Sequence, residues 1–106
     1  MQKIEPMHLG EVLKTEFLEA FNITAYKLAK DIHVPVNRIT EIINGQRNIS
    51  TETALMLSIY FGLSSGFWIR MQSYYDEVVT KDKINNLLSA IKPISTLPQK
   101  FATSPS

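Results

Sequence analysis

Between Val36 and Glu41, five side chains carry the chemistry that reads the edges of base pairs. Asn37 can pair with an adenine edge, Val36 can touch a thymine methyl, and Glu41 can accept from a cytosine amine, with Arg38 and Thr40 beside them. One good bidentate contact discriminates by ~1–3 kcal/mol, so one or two such residues would set a preference. A plainer use of Glu41 stays open: Arg38 stands three residues earlier, and the two could pair, turning the guanidinium toward a phosphate. The flanks carry groups suited to the phosphate backbone. Thr24, Tyr26 and Lys27 precede the five, and Asn44, Gln46, Arg47 and Asn48 follow them. Such contacts position a protein and make binding salt-dependent without reading sequence. Lys30 reads as a solvated surface charge.

The elements that must hold these groups run from Thr24 to Gly45, TAYKLAKDIHVPVNRITEIING. Thr24 caps a first helix whose Leu28 and Ala29 face inward. Ile32-His33-Val34 makes the turn. A second helix covers Pro35 to Asn44, with Ile39, Ile42 and Ile43 inward and Asn44-Gly45 closing it. So short a connection, with a small Ala29 at the crossing, suits a helix-turn-helix whose second helix can enter a DNA major groove. An ordinary helical hairpin inside a bundle fits the same apolar repeat.

The rest of the chain also reads as helix. Residues 1–7 form an irregular arm, because Pro6 disfavours helix before it. A helix follows from His8 to Phe21, with Leu9, Val12, Leu13, Phe17, Ala20 and Phe21 in one apolar stripe. Ser50 caps a fourth helix over Thr51–Phe61 that is apolar nearly all round, as a buried central helix would be. Ser64-Ser65 can cap a fifth, from Gly66 to Thr80. Residues 8–80 make up the helix-turn-helix domain, residues 81–92 carry a short C-terminal helix stopped by Pro93, and residues 93–106 read as a flexible tail. The fold class expected is all-α.

Composition narrows the function. At 106 residues with a formal charge of +1, the chain is one domain of ordinary globular make-up. The absence of cysteine excludes disulfides and thiolate metal sites and is compatible with the cytoplasm. No apolar run approaches a membrane span, and the N-terminus lacks a signal-peptide core. The two histidines, His8 and His33, are in no metal-ligand spacing, and Gly10, Gly45, Gly62 and Gly66 build no phosphate loop. No catalytic residues, cofactor, metal or small-molecule substrate are therefore expected. The positive excess sits in residues 24–48, where Lys27, Lys30, Arg38 and Arg47 outnumber Asp31 and Glu41.

From His8 to Glu77 the chain resembles the antidote proteins of HigA-type addiction modules, within the Xre/Cro-like helix-turn-helix superfamily. The resemblance lies in HLGEVLKTEFL, in AYKLAKDIHVPVNRITEIINGQRNIS, and in TETALMLSIYFGLSSGFWIRMQSYYD. Phe61-Gly62-Leu63, Phe67-Trp68 and Gln72 are the part more particular to the antidote branch. It implies a five-helix Cro/repressor-like domain, a homodimer that binds double-stranded operator DNA and represses its own operon, and a partner toxin that cleaves messenger RNA. Three positions depart from the pattern: His33 where glycine is usual in the turn, Pro35 where a capping Ser or Thr is common, and Leu9 in place of a proline. A stand-alone Xre/Cro-like repressor without a toxin is the alternative, and a helical module that binds only proteins is a third.

One helix face cannot easily bury the aromatic stripe of the fifth helix in so small a domain. Part of it should pack on Leu55, Ile59 and Phe61, while Trp68, Met71, Tyr74, Tyr75 and Val78 are expected to supply a two-fold dimer interface. The acidic first helix, with Glu11, Glu16 and Glu19, is a candidate surface for a basic toxin.

Overall fold

The computed structural model describes residues 6–94. The expected arm and tail lie mostly outside them, at residues 1–5 and 95–106. Six helices make up the described residues: α1 runs as Leu9–Val12, Leu13–Leu18 and Glu19–Phe21 without interruption, followed by α2 (Ala25–Ile32), α3 (Val36–Ile43), α4 (Thr51–Tyr60), α5 (Phe67–Lys83) and α6 (Asn85–Ser89). The all-α class holds.

The middle of α1, Leu13–Leu18, is π-helical. The wider turn places residues five apart on one face, so Leu13 and Leu18 both reach the core together with Leu9. That is why the stripe expected at three- and four-residue steps departs from what is seen. Leu18 is buried, Phe17 is half-buried, and Ala20 and Phe21 face solvent.

Four helices end in the same way. Asn22, His33, Gly45 and Gly62 take positive φ values of 57°, 65°, 77° and 70°. The next residue then donates back five positions, Ile23 to Leu18, Val34 to Ala29, Gln46 to Glu41 and Leu63 to Ser58. This is the Schellman closure, which satisfies the last carbonyls of a helix. At three of the four ends the donor is apolar and packs on the core: Ile23, Val34 and Leu63. His33 thus meets the turn geometry that glycine usually supplies, at a conformational cost a histidine bears better than most.

Leu9, Leu13, Leu28, Ile39, Ile42, Leu57 and Trp68 are the fully enclosed large side chains. Trp68 packs against Phe17, ring centroids 5.0 Å apart, with Phe67 edge-on at 5.5 Å. Among the described residues its indole N–H has no acceptor and the Ser58 hydroxyl no partner, so Trp68 serves the core through its volume. α4 is less central than its composition suggests. It buries Thr53, Ala54, Leu57 and Ser58, while Leu55 and Ile59 point outward, Ile59 at 81% exposure. Ile59 is thus not covered by the aromatic stripe of α5 as expected, and Leu55 is only partly covered.

α5 begins without the expected serine cap: Gly66 holds the cap position and Ser64 Oγ instead accepts from Arg70 Nη2 at 3.1 Å. It continues to Lys83, and the break falls at Ile84. α6 is consequently shorter than expected, and Leu87, Leu88 and Ile91 are exposed.

Truncating the enclosed Trp68 to alanine is expected to cost ~3–5 kcal/mol of folding stability, whereas Ile59→Ala costs no more than about 0.5 kcal/mol. Denaturant unfolding of the two variants reads the contrast directly.

Candidate nucleic-acid interface

The inner edge of α3 is sealed. Ile39 and Ile42 have no exposed surface, and Ile43 lies half-buried against the same cluster. With eight residues at helical period, this forces Val36, Asn37, Thr40 and Glu41 to the other side. Val36 is 42% exposed, Asn37 is exposed, and Thr40 and Glu41 are half-buried. α3 starts one residue later than expected: Pro35 is extended, at φ −61° and ψ 143°, and holds the cap position without a side-chain bond.

α2 lays its own groups alongside. The Thr24 hydroxyl oxygen accepts from Lys27 N–H at 3.0 Å, so the expected cap forms. Tyr26 is 65% exposed. Beyond α3, Asn44, Gln46, Arg47 and Asn48 are all exposed on the loop that leads to α4. The five expected base contacts and seven expected backbone contacts thus lie on or beside α2, on α3 and on the loop after it, each exposed or half-buried.

Their hydrogen bonds close the alternative left open for Glu41. Glu41 does not pair with Arg38. It accepts from Arg47 Nε at 2.9 Å, six residues on, because the Gly45 turn folds the loop back over the end of α3. Arg38 reaches across to Glu52 of α4 at 3.5 Å. Thr40 Oγ donates to the carbonyl of Asn37. Val36 and Asn37 remain the side chains of α3 least engaged with their own chain.

Lys27 Nζ donates to Asp31 Oδ2 at 2.9 Å, and the same oxygen accepts from the Tyr60 hydroxyl at 2.6 Å. The Tyr60 bond, then the Lys27 bond, hold the Asp31 carboxyl below its ordinary range, and the bonds to Asp31 raise both Lys27 and Tyr60. For the depressed carboxyl, the stabilisation is present above its ordinary value of 3.8 and is lost as pH falls through the lowered one. The i, i+4 spacing of Lys27 and Asp31 is a readable signal. Tyr60, 29 residues further on, is not.

Gly10 is a second position that sequence reasoning passed over. His8 Nδ1 accepts from the Gly10 N–H at 2.9 Å and starts α1, which places the glycine against the carbonyl of Ile42 on α3. A Cβ there would overlap that carbonyl. The missing side chain is what lets α1 lie on the backbone of α3.

The fifth-helix set divides. Met71, Tyr74, Tyr75 and Val78 line one open apolar groove of about 420 Å³, joined from α1 and its approach by Pro6, Met7, Leu9 and Val12. Trp68 is not among them. It is wholly enclosed in its own domain and has no surface to offer a second chain.

An α2–turn–α3 pair sealed on one edge and polar on the other defines the helix-turn-helix class. The model of the helix-turn-helix family matches residues 15–68. Virulence-associated protein I of Dichelobacter nodosus is 41% identical over 91 residues, covering 85% of this chain and 82% of that protein. Antitoxin HigA-1 of Vibrio cholerae is 32% identical over 92 residues, 87% of each. The structure of Pseudomonas aeruginosa antitoxin HigA with the higBA promoter superposes with a TM-score of 0.80 at 33% identity, over 85% of this chain and 99% of that one. The chain belongs to the helix-turn-helix family, in the branch that contains the HigA antitoxins.

Adding a methyl group at the tightest of these contacts, Gly10→Ala, is expected to push α1 off α3 and cost ~1–3 kcal/mol of stability. Thermal unfolding checks it, and a wild-type transition would mean that the two helices do not meet as described.

Proposed function

We propose that this protein is an antitoxin of the HigA type that binds its own operator as a homodimer and pairs with a cognate toxin. The observation that carries the reading is α3: an eight-residue helix whose inner edge is sealed by Ile39 and Ile42 while Val36 and Asn37 stay free on the outer edge. In a major groove, Asn37 would read an adenine edge and Val36 a thymine methyl. Arg38, Thr40 and Glu41 would contribute after exchanging their partners within the chain for base or phosphate groups. Thr24, Tyr26 and Lys27 at one end, and Asn44, Gln46, Arg47 and Asn48 at the other, would hold the backbone. The P. aeruginosa antitoxin solved with its promoter supports the same use of the shared fold.

The dimer would close over the groove between α1 and α5, with Met71, Tyr74, Tyr75 and Val78 meeting their copies. Two recognition helices would then lie about one turn of DNA apart. The exposed acidic edge of α1, Glu11, Glu16 and Glu19, is where a basic toxin would dock. Reversing those three charges should abolish the toxin complex, and an undisturbed complex would move the toxin elsewhere. The protein would work in the cytoplasm, by occupancy alone, with no catalytic step and no cofactor. Among the described residues, no helix is long and apolar enough to cross a membrane.

A gel shift of the purified protein on its own upstream DNA, against a scrambled duplex and across a salt series, tests the reading. Specific binding should weaken steeply with salt. Lys27→Ala and Arg47→Ala should each reduce the log–log salt slope by about one. Asn37→Ala should cost ~1–3 kcal/mol on the operator and little on the scrambled duplex. Equal, weak binding to both duplexes would refute it. In sedimentation, Tyr74→Glu should leave a folded monomer. A variant that stays dimeric would place the interface away from the groove.

A further inference from the structure

We infer that Gln72 is a positioning residue for operator binding: from α5 it fixes the loop that presents Gln46, Arg47 and Asn48 to the DNA backbone. Gln72 is a long polar side chain only 7% exposed, on a helix otherwise anchored by apolar groups. Its Oε1 accepts from the backbone N–H of Ile49 at 2.9 Å, a buried bond across 23 positions of sequence. Its Nε2 donates to Asp76 Oδ1 at 2.9 Å, one turn further along α5. The second bond sets the first, because a carboxylate can only accept: it holds the amide nitrogen and leaves the oxygen aimed at Ile49.

The start of the loop is tied to α3 by the Gln46 N–H bond to the Glu41 carbonyl and by the Arg47–Glu41 pair, and its far end has few other restraints. It leaves α3 through the Gly45 turn and enters α4 at Ser50, whose hydroxyl caps Thr53. Between those points Ile49 is the only apolar residue and is 4% exposed, while Gln46, Arg47 and Asn48 face solvent. Burying Ile49 alone would fix the depth of the loop but leave it free to pivot. The directional bond to Gln72 removes that freedom, and it does so from the helix whose adjoining positions, Met71 and Tyr75, line the proposed dimer groove. The phosphate-facing loop is thereby set relative to the two-fold axis, on which the spacing of backbone contacts from two subunits depends.

The test, which rests on the operator reading above, uses the full chain and its upstream DNA. Gln72→Met keeps length and apolar volume but cannot accept from Ile49 as the amide does. At temperatures where circular dichroism shows it folded, it is expected to bind the operator about tenfold more weakly with a shallower salt slope. The exchange Gln72→Glu with Asp76→Asn keeps the net charge, keeps an acceptor for the Ile49 N–H and rebuilds the bond between positions 72 and 76 with its polarity reversed, and it should bind within about twofold of wild type. A folded Gln72→Met variant with wild-type affinity and slope overturns the inference, as does a folded exchange variant that binds no better than Gln72→Met. Should Gln72→Met not fold, Asp76→Ala replaces it, read by amide exchange. Faster exchange at Ile49 with α3 and α5 still protected supports the role, and unchanged exchange overturns it. If the wild-type chain itself ignores the operator, the functional reading fails instead, so the two failures are distinct.

Discussion

The structure depends on how α3 is seated. A helix of eight residues has too little of its own stability to hold side chains in register for a groove, so packing must supply it. Ile39 and Ile42 give up all their surface to the core, and α1 lies directly on the Ile42 carbonyl at the one point, Gly10, where no Cβ intervenes. The seating determines which atoms face out. It also ties α3 to α1, which lines the same groove as α5. The surface proposed to meet DNA and the surface proposed to meet a second subunit are therefore two sides of one packed unit.

Electrostatics around that unit are nearly balanced, in keeping with a formal charge of +1 for the whole chain. Each of three cations near α3 has an acid beside it: Lys27 with Asp31, Arg38 with Glu52, Arg47 with Glu41. All are at least partly exposed, and exposed pairs of this kind are weak enough for a phosphate to compete. Binding would then be an exchange of carboxylate for phosphate partners rather than a gain of wholly new contacts. Such an arrangement disfavours indiscriminate attachment and leaves more of the affinity to the fit of α3. It also pre-orients the cations, since Asp31 holds Lys27 while being held by Tyr60.

Much of this was legible in the chain. Thr24 as a cap, the turn at His33, the inward Ile39 and Ile42, and the Gly45 stop all follow from short-range rules, and each is seen. What escaped depends on contacts distant in sequence or on a change of helical period. The π-helical step that buries Leu18 and frees Phe21 has no pattern signal at three or four residues. Ile59 reads as core among its apolar neighbours, yet α4 has only one covered face, so it is left in solvent. Trp68 and Met71 are three apart and read as one stripe, but burial separates them: the tryptophan fills the domain and the methionine lines the groove. For Glu41 the only partner visible in the sequence was Arg38, at helical spacing and left open as an alternative, whereas the fold-back of the loop that brings Arg47 had no signal.

The most direct measurement is a base- and phosphate-resolved interference footprint on the upstream DNA, with each base altered in turn at its major-groove edge in one arm and ethylated phosphates in the other. Two recognition helices held by a two-fold axis should give two major-groove patches related by a dyad, centred about 34–36 Å apart or a multiple of that, each flanked by sensitive phosphates. A single patch, sensitivity confined to phosphates, or patches without a dyad would contradict the arrangement in which α3 reads the operator from a symmetric dimer.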